Sequence, residues 1–211
     1  MFLYNSVCEY GEAEYVVEKS RFIAHAVPVG SYEEAKQFVA EIKEQYRDAT
    51  HNVPAIITGP KQEMQWASDD GEPGGTSGLP VLKMIAGEGL TNLAVVITRY
   101  FGGIKLGTGG LARAYTAAAR LGLDAAGRCE VYESSVLRYE FDYTYLSKLQ
   151  NMASDGRFTI SDPEYTDVVR ADLRCLSEYS DELQGIMTNL TSGQARLISA
   201  KQGILRIRTG V

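Results

Sequence analysis

The chain has 211 residues, 45% hydrophobic and 23% charged, the balance of a soluble globule with room for one large domain or two small ones. Its net charge is −6, with 12 basic against 16 acidic residues in 1–132 and 9 against 11 in 133–211. That excludes the strongly basic body of a nonspecific nucleic-acid binder and leaves only local basic patches open.

No apolar run reaches the roughly 20 residues of a membrane span. Met1–Asn5 lacks the basic start and long apolar stretch of a signal peptide, so the expectation is a cytoplasmic chain without a membrane partner. Cys8, Cys129 and Cys175 are widely spaced and odd in number, and they read as small core residues rather than disulfides.

In chain order, Ala13–Val29 reads as two strands, with Tyr15 and Val17 alternating with charged neighbours before the apolar run Phe22–Val27. Ser31 opens a helix. Ser31 and Glu34 have capping-box spacing, and Ala35, Phe38, Val39, Ile42 and Tyr46 recur at intervals of three and four. Val53–Thr58 and Met64–Ala67 read as strands around the Gly59-Pro60 turn. A helix is predicted over Ser77–Ala86, a strand buried on both faces over Leu93–Tyr100, and an alanine-rich helix over Gly109–Ala125.

After Gly127 glycine becomes sparse. Strand Ser135–Tyr143, helix Thr144–Met152, strands Arg157–Ile160 and Thr166–Cys175, helix Ser177–Thr191 and strand Ala195–Ile207 come next, the β-α-β-β-α-β order of a ferredoxin-like domain. A boundary near Ala126–Ser134 separates domains over 1–130 and 134–211, and the fold class is α+β.

Eleven of the 21 glycines lie between Gly71 and Gly110, which makes this segment the candidate functional region. The first block is Ser68-Asp69-Asp70-Gly71-Glu72-Pro73-Gly74-Gly75-Thr76-Ser77-Gly78. Thr76 or Ser77 can cap the following helix, whose free amides would suit an anion. Asp69, Asp70 and Glu72 could hold a hard cation such as Mg²⁺, but the spacing lacks the later ligands of an EF-hand loop. Solvated loop charge is the simpler reading, and no metal or cofactor is expected.

The second block, Thr98-Arg99-Tyr100-Phe101-Gly102-Gly103-Ile104-Lys105-Leu106-Gly107-Thr108-Gly109-Gly110-Leu111-Ala112-Arg113, runs strand, glycine loop, helix. Gly102 and Gly107 have P-loop spacing, yet Thr108 and Gly109 stand where Lys and Ser/Thr belong. Gly107–Ala112 fits a dinucleotide fingerprint formally, but no convincing βαβ unit follows. What survives is Arg99, Lys105 and Arg113 near backbone amides for phosphate, and Tyr100, Phe101 and Tyr115 as flat rings for bases. The plain alternative makes the rings core and the cations solubilising. Of the two histidines, His51 at a loop-to-strand junction is the better functional candidate, and His25 reads as a satisfied polar residue. No catalytic residue can be named, and no zinc or nucleophile motif supports a peptidase.

Ser68–Pro73, Gly75-Thr76-x-Gly78 and Thr98–Leu111, with Thr50-His51-Asn52 and Lys19–Ile23, resemble the signature of the IMPACT family in its YigZ-like bacterial form. Val53 stands where the resemblance would place a cysteine, and Leu79 where a lysine is common. The resemblance implies a first domain similar to the second domain of a small-subunit ribosomal protein and to domain IV of elongation factor G. It implies a ferredoxin-like second domain similar to domain V of that factor. Eukaryotic relatives regulate translation under amino-acid stress by binding an activator of a translation-initiation-factor kinase.

The expected function is therefore a noncatalytic protein that binds RNA, the ribosome or a translation-associated protein. Its binding residues would be His51, Ser68, Asp69, Asp70, Gly71, Glu72, Gly75, Thr76, Gly78, Arg99, Tyr100, Gly102, Gly103, Lys105, Gly107, Thr108, Gly109, Gly110 and Arg113. The alternatives are an enzyme acting on a small anionic or phosphorylated substrate with a carboxylate-bound metal, and a protein–protein adaptor.

Overall fold

The structure, a computed structural model, describes residues 1–209; Gly210 and Val211, the end of the expected second domain, lie outside the described residues. The elements before the expected boundary are β1 (Phe2–Val7), β2 (Gly11–Val17), β3 (Ser20–Pro28), α1 (Tyr32–Gln45), β4 (His51–Thr58), β5 (Met64–Ala67), α2 (Gly78–Gly87), β6 (Leu93–Tyr100) and α3 (Gly107–Ala126). After them come β7 (Arg128–Phe141), α4 (Leu146–Ala153), β8 (Phe158–Tyr165), β9 (Val169–Leu176), α5 (Ser180–Thr191) and β10 (Arg196–Arg208). Short 3₁₀ turns at Tyr143–Tyr145 and Ser177–Tyr179 lead into α4 and α5.

The chain divides into two units, Tyr4–Glu130 with residues 207–209, and Met1–Leu3 with Val131–Arg206. The predicted boundary region Ala126–Ser134 lies largely within β7, which begins at Arg128 rather than at Ser135. β1 has no counterpart among the strands expected from the sequence.

In the first unit an antiparallel sheet runs β2-β3-β6-β4-β5. β6 is its middle strand, and its two faces explain its unbroken apolar run. Leu93, Val95 and Ile97 join the core formed with Val81 and Ile85 of α2 and with Ala118 and Leu123 of α3. Ala94 and Val96 join a second core with Ala35, Val39 and Ile42 of α1. The unit is thus one sheet with a helix on one face and two on the other. The period-two register also assigns the last residues of β6 to a face: Thr98 continues the α1 face, and Arg99 continues the face of α2 and α3.

Two helix starts differ in detail from expectation. Ser31 caps α1, accepting from the Glu34 amide at 3.1 Å, but the Glu34 carboxylate reaches the Gly30 amide at 2.6 Å rather than that of Ser31. α3 begins at Gly107, two residues earlier than predicted, which puts Gly107 and Thr108 in its first turn.

In the second unit the strand order β10-β7-β9-β8, with α4 after β7 and α5 after β9, is ferredoxin-like; β1 also pairs with β7. Leu137, Tyr139 and Phe141 of β7 and Val169, Ala171, Leu173 and Cys175 of β9 alternate onto Leu149 of α4 and Leu183 and Met187 of α5. β8 is longer than predicted. It passes Ile160 through an irregularity between Ser161 and Glu164, where Pro163 cannot donate a ladder bond. Cys8, Cys129 and Cys175 form no disulfide among the described residues. No helix among the described residues is long and apolar enough to cross a membrane.

Candidate functional site

The first glycine block is wired around its own carboxylates. Asp69 Oδ1 accepts from the Ser77 amide (3.1 Å), the Ser77 hydroxyl (2.6 Å) and the Gly78 amide (2.9 Å), while Oδ2 accepts from the Gly75 amide (2.6 Å). Burial pushes the Asp69 carboxyl upward, but the Ser77 hydroxyl and the amides of Gly75, Gly78 and Ser77 outweigh it and hold it below the ordinary aspartate range. The α2 start, expected from the sequence to be open to an external anion, is therefore filled by Asp69. Thr76 and Ser77 do not cap it: the Thr76 hydroxyl donates to the Pro73 carbonyl at 2.6 Å, and Ser77 donates to Asp69. Gly78 is required by close approach, because a Cβ there would sit 2.5 Å from the Ser68 carbonyl oxygen.

Ser68 Oγ accepts from the Asp70 amide at 3.1 Å. The Asp70 side chain accepts from the Asn52 amide (2.7 Å) and from Lys43 Nζ (2.5 Å), tying the block to β4 and α1. Asp70 and Gly71 both have positive φ, and this turn sends Glu72 inward. The three acidic residues thus diverge, and among the described residues no group of three or more His, Cys, Asp or Glu side chains is placed to hold a metal.

Glu72 is the centre of a buried network. Its Oε1 accepts from Arg99 NH1 at 2.5 Å and from the Tyr115 hydroxyl at 2.7 Å. The Glu72 and Arg99 side chains are 3% and 6% exposed. A buried ion pair needs further hydrogen bonds to offset lost hydration, and Tyr115 on α3 supplies one. Burial, then the hydrogen bond to Glu72 and its charge, push the Tyr115 phenol far up, so it remains a donor. The Arg99 guanidinium also lies over the Phe22 and Phe101 rings, 5.3 and 5.4 Å from their centroids. Arg99 is therefore a buried structural cation rather than a surface one.

His51 sits opposite Arg99 in the β4–β6 register. Its Nδ1 lies 2.7 Å from the Asp70 carbonyl oxygen, which can only accept, so Nδ1 carries the proton. Nε2 is left facing Glu72 Oε2 at 3.8 Å. These groups line a cleft of about 400 Å³ with Thr50, Pro73, Phe101, Lys105, Leu106, Gly107, Thr108 and Leu111.

The remaining residues of the second block distribute differently. Lys105, Gly110 and Arg113 share the wall of a second cleft, about 570 Å³, with Tyr15, Val17 and Glu18. Among the described residues no side chain caps α3. Tyr100 continues the opposite face of β6, its hydroxyl donating to Asp48 at 3.0 Å and its ring lying under Arg21. Gly102 touches the β2–β3 turn: its amide donates to Ser20 Oγ at 3.1 Å, and a Cβ there would collide with the Lys19 carbonyl. Gly103, with positive φ, and Gly109 belong to the loop and to the first turn of α3. His25 is a satisfied core residue, between the Tyr10 hydroxyl (3.0 Å), Glu12 (3.3 Å) and Thr98 (3.5 Å).

Sequence reasoning missed Lys43 as the partner of Asp70 and Tyr115 as the partner of Glu72. The missed apolar walls, Pro73, Leu106 and Leu111, carry no local signal, because loop and helix residues meet there only through the fold.

Residues 18–123 match the family model described as the Impact N-terminal domain, and residues 140–194 match one described as a domain of unknown function, DUF1949. The chain is 39% identical to the IMPACT family member YvyE of Bacillus subtilis (strain 168) over 91% of this chain and 88% of that protein. It is 43% identical to the IMPACT family member YigZ of Escherichia coli (strain K12) over 47% of this chain and 50% of that protein. The crystal structure of a hypothetical protein superposes with a TM-score of 0.60 at 26% identity, covering 94% of this chain and 98% of the other.

Proposed function

The chain belongs to the IMPACT family, and from that premise we propose that it is a noncatalytic, translation-associated protein that meets RNA, on the ribosome or beside a translation factor, through the segment leading into α3. Family membership supports a translation-related regulatory role at the level of the family. In this reading the domain expected over 1–130 carries the contact.

The observation that carries the proposal is a pair of uncommitted cations. In the first unit Arg21, Lys36, Lys43, Arg47, Arg99, Arg120 and Arg128 each face a carboxylate. Lys19, Lys61, Lys83, Lys105 and Arg113 make no ion pair among the described residues, and of these Lys105 and Arg113 are exposed and share one cleft wall, which Glu18 also lines. Between them in sequence lies the uncapped start of α3, whose first-turn amides favour an anion. This local patch answers the objection that the chain is acidic overall, since binding follows where charge sits.

The test is binding to ribosomes, and to RNA extracted from them, by the natural chain and by a Lys105→Ala/Arg113→Ala variant. Both side chains are exposed, so the variant keeps its fold. Weaker binding in the variant supports the proposal, and unchanged binding refutes the surface. Capture of a protein partner that survives nuclease treatment would favour the adaptor reading instead.

A second reading, an enzyme acting on a small anionic substrate, draws on one observation. His51 has its Nδ1 tied to a backbone carbonyl and its Nε2 turned toward a carboxylate inside a cleft, an arrangement able to accept and return a proton. Thermal-shift measurements with phosphates, nucleotides, Mg²⁺ and Mn²⁺ test it, and the absence of any shift counts against it.

A further inference from the structure

The cleft containing His51 and Arg99 is lined by both charged and apolar groups. Part of its wall is the start of α3, a helix of 20 residues whose first two, Gly107 and Thr108, line the cleft without a capping side chain among the described residues. Lys105 adds an ammonium group that makes no ion pair among the described residues. An independent sign of a missing partner is Arg99. Its side chain is 6% exposed and its NH1 is committed to Glu72, but its buried Nε has no hydrogen-bond partner among the described residues. Buried polar groups left unsatisfied are rare in native proteins.

One carboxylate shares the site. Glu72 Oε1 already accepts two donors, so two cations and the helix start face a single negative charge, and the sum favours an anion. His51 Nε2 stands beside them as a further polar group.

Pro73, Phe101, Leu106 and Leu111 supply the apolar part of the lining. The Phe101 ring has the Arg99 guanidinium on one side and is still 46% exposed. A bare phosphate would leave this apolar lining uncovered, and the volume of the cleft is in the range of small-molecule sites. We propose that the cleft binds a phosphate monoester carried on a planar ring, the chemistry of a nucleoside monophosphate, taken either as a free nucleotide or as the phosphorylated end of an oligonucleotide. The phosphate lies on the α3 start and Lys105, and the ring stacks on Phe101. This rests on reading the glycine segment as phosphate-binding, and it deepens that reading by naming the group recognised and the pocket that takes it.

The chain has two histidines, so the imidazole ¹H–¹⁵N resonances of His51 are assignable against a His51→Gln variant. The full chain is titrated with AMP, UMP, adenosine, uridine, and a short oligonucleotide with and without a 5′-phosphate. The expected result is that phosphorylated probes shift the His51 resonances and unphosphorylated ones do not. A response to the mononucleotides alone assigns the free nucleotide as source, a response to the oligonucleotide alone assigns the chain end, and either supports the proposal.

Thr108→Glu places an exposed carboxylate in the first turn of α3, which favours the helix but repels phosphate. It should weaken nucleotide binding by about tenfold or more without lowering the melting temperature. Equal shifts with nucleoside and nucleotide, no shift with any phosphorylated probe at millimolar concentration, or unchanged affinity in Thr108→Glu each overturns the proposal. If those results come while RNA or ribosome binding remains sensitive to Lys105→Ala/Arg113→Ala, the cleft inference fails alone. If AMP or UMP binds as described while neither RNA nor ribosomes bind, the inference stands and the proposed function fails.

Discussion

Glu72 and Arg99 give the sharpest stability prediction, because the two side chains are 3% and 6% exposed and the pair holds α3 against the first glycine block through Tyr115. Glu72→Leu leaves a buried guanidinium with no counter-charge, which costs about 3–5 kcal/mol. It also orphans the buried Tyr115 hydroxyl, adding about 1–3 kcal/mol. Arg99→Met leaves a buried carboxylate that keeps the Tyr115 hydroxyl and has His51 Nε2 at 3.8 Å, so its cost should fall at the lower end of the same range, about 3 kcal/mol. The double variant replaces the pair with apolar side chains and should cost less than the sum of the single changes by about 2–3 kcal/mol. Urea denaturation of the four proteins, followed by the fluorescence of Trp66, the chain's one tryptophan and part of the first unit, reads these values as shifts in midpoint at constant slope. Additivity of the single changes within about 0.5 kcal/mol would refute the reasoning, since the network would then carry no coupling energy.

Asp69→Ala should destabilise the first unit by about 2 kcal/mol, because it removes a carboxylate cap that holds three amides and a hydroxyl. The folded carboxyl lies below its ordinary range, so its contribution is fully present above the unfolded pKa and is lost as pH falls through the folded value. Denaturation midpoints of Asp69→Asn and the natural chain should therefore differ by a constant amount above about pH 4 and converge as pH falls below it. Gly102→Ala should cost about 3 kcal/mol, since its Cβ meets Lys19 backbone, while Gly103→Ala, with positive φ but open space, should cost about 1–2 kcal/mol. Thermal melts of the two variants check that order.

The architecture was legible where periodicity is local. The run Leu93–Tyr100 announced a strand buried on both faces, and its two sets of alternating residues do join separate cores. The β-α-β-β-α-β order after Gly127 likewise follows from segment patterns. β1 was not legible, because Phe2–Val7 buries only its last two residues fully and shows no alternation. The first residues of β7 did carry a signal, since Arg128, Cys129, Glu130 and Val131 alternate charged with apolar as they alternate in burial, but the reading that starts the strand at Ser135 passed over it.

The glycine segment was located from composition alone, but its internal chemistry was not. Arg99 pairs with Glu72 across 27 residues and Tyr115 reaches the same oxygen across 43, contacts that no local pattern encodes. Asp69 reaches forward to the α2 start, so the amides that looked free for a ligand are already used. The loop glycines obscured where α3 begins. With the α2 start filled by Asp69, the anion site expected at the second block is the one left, on the α3 start at Gly107.

The central claim is that Lys105 and Arg113 meet nucleic-acid phosphate. The salt dependence of RNA affinity tests it most directly, because each lost phosphate contact reduces the slope of log K against log salt by about 0.7 for single strands. Lys105→Ala/Arg113→Ala should bind more weakly at low salt, with a slope shallower by about 1.4. An unchanged slope, with affinity equal to that of the natural chain, would contradict it.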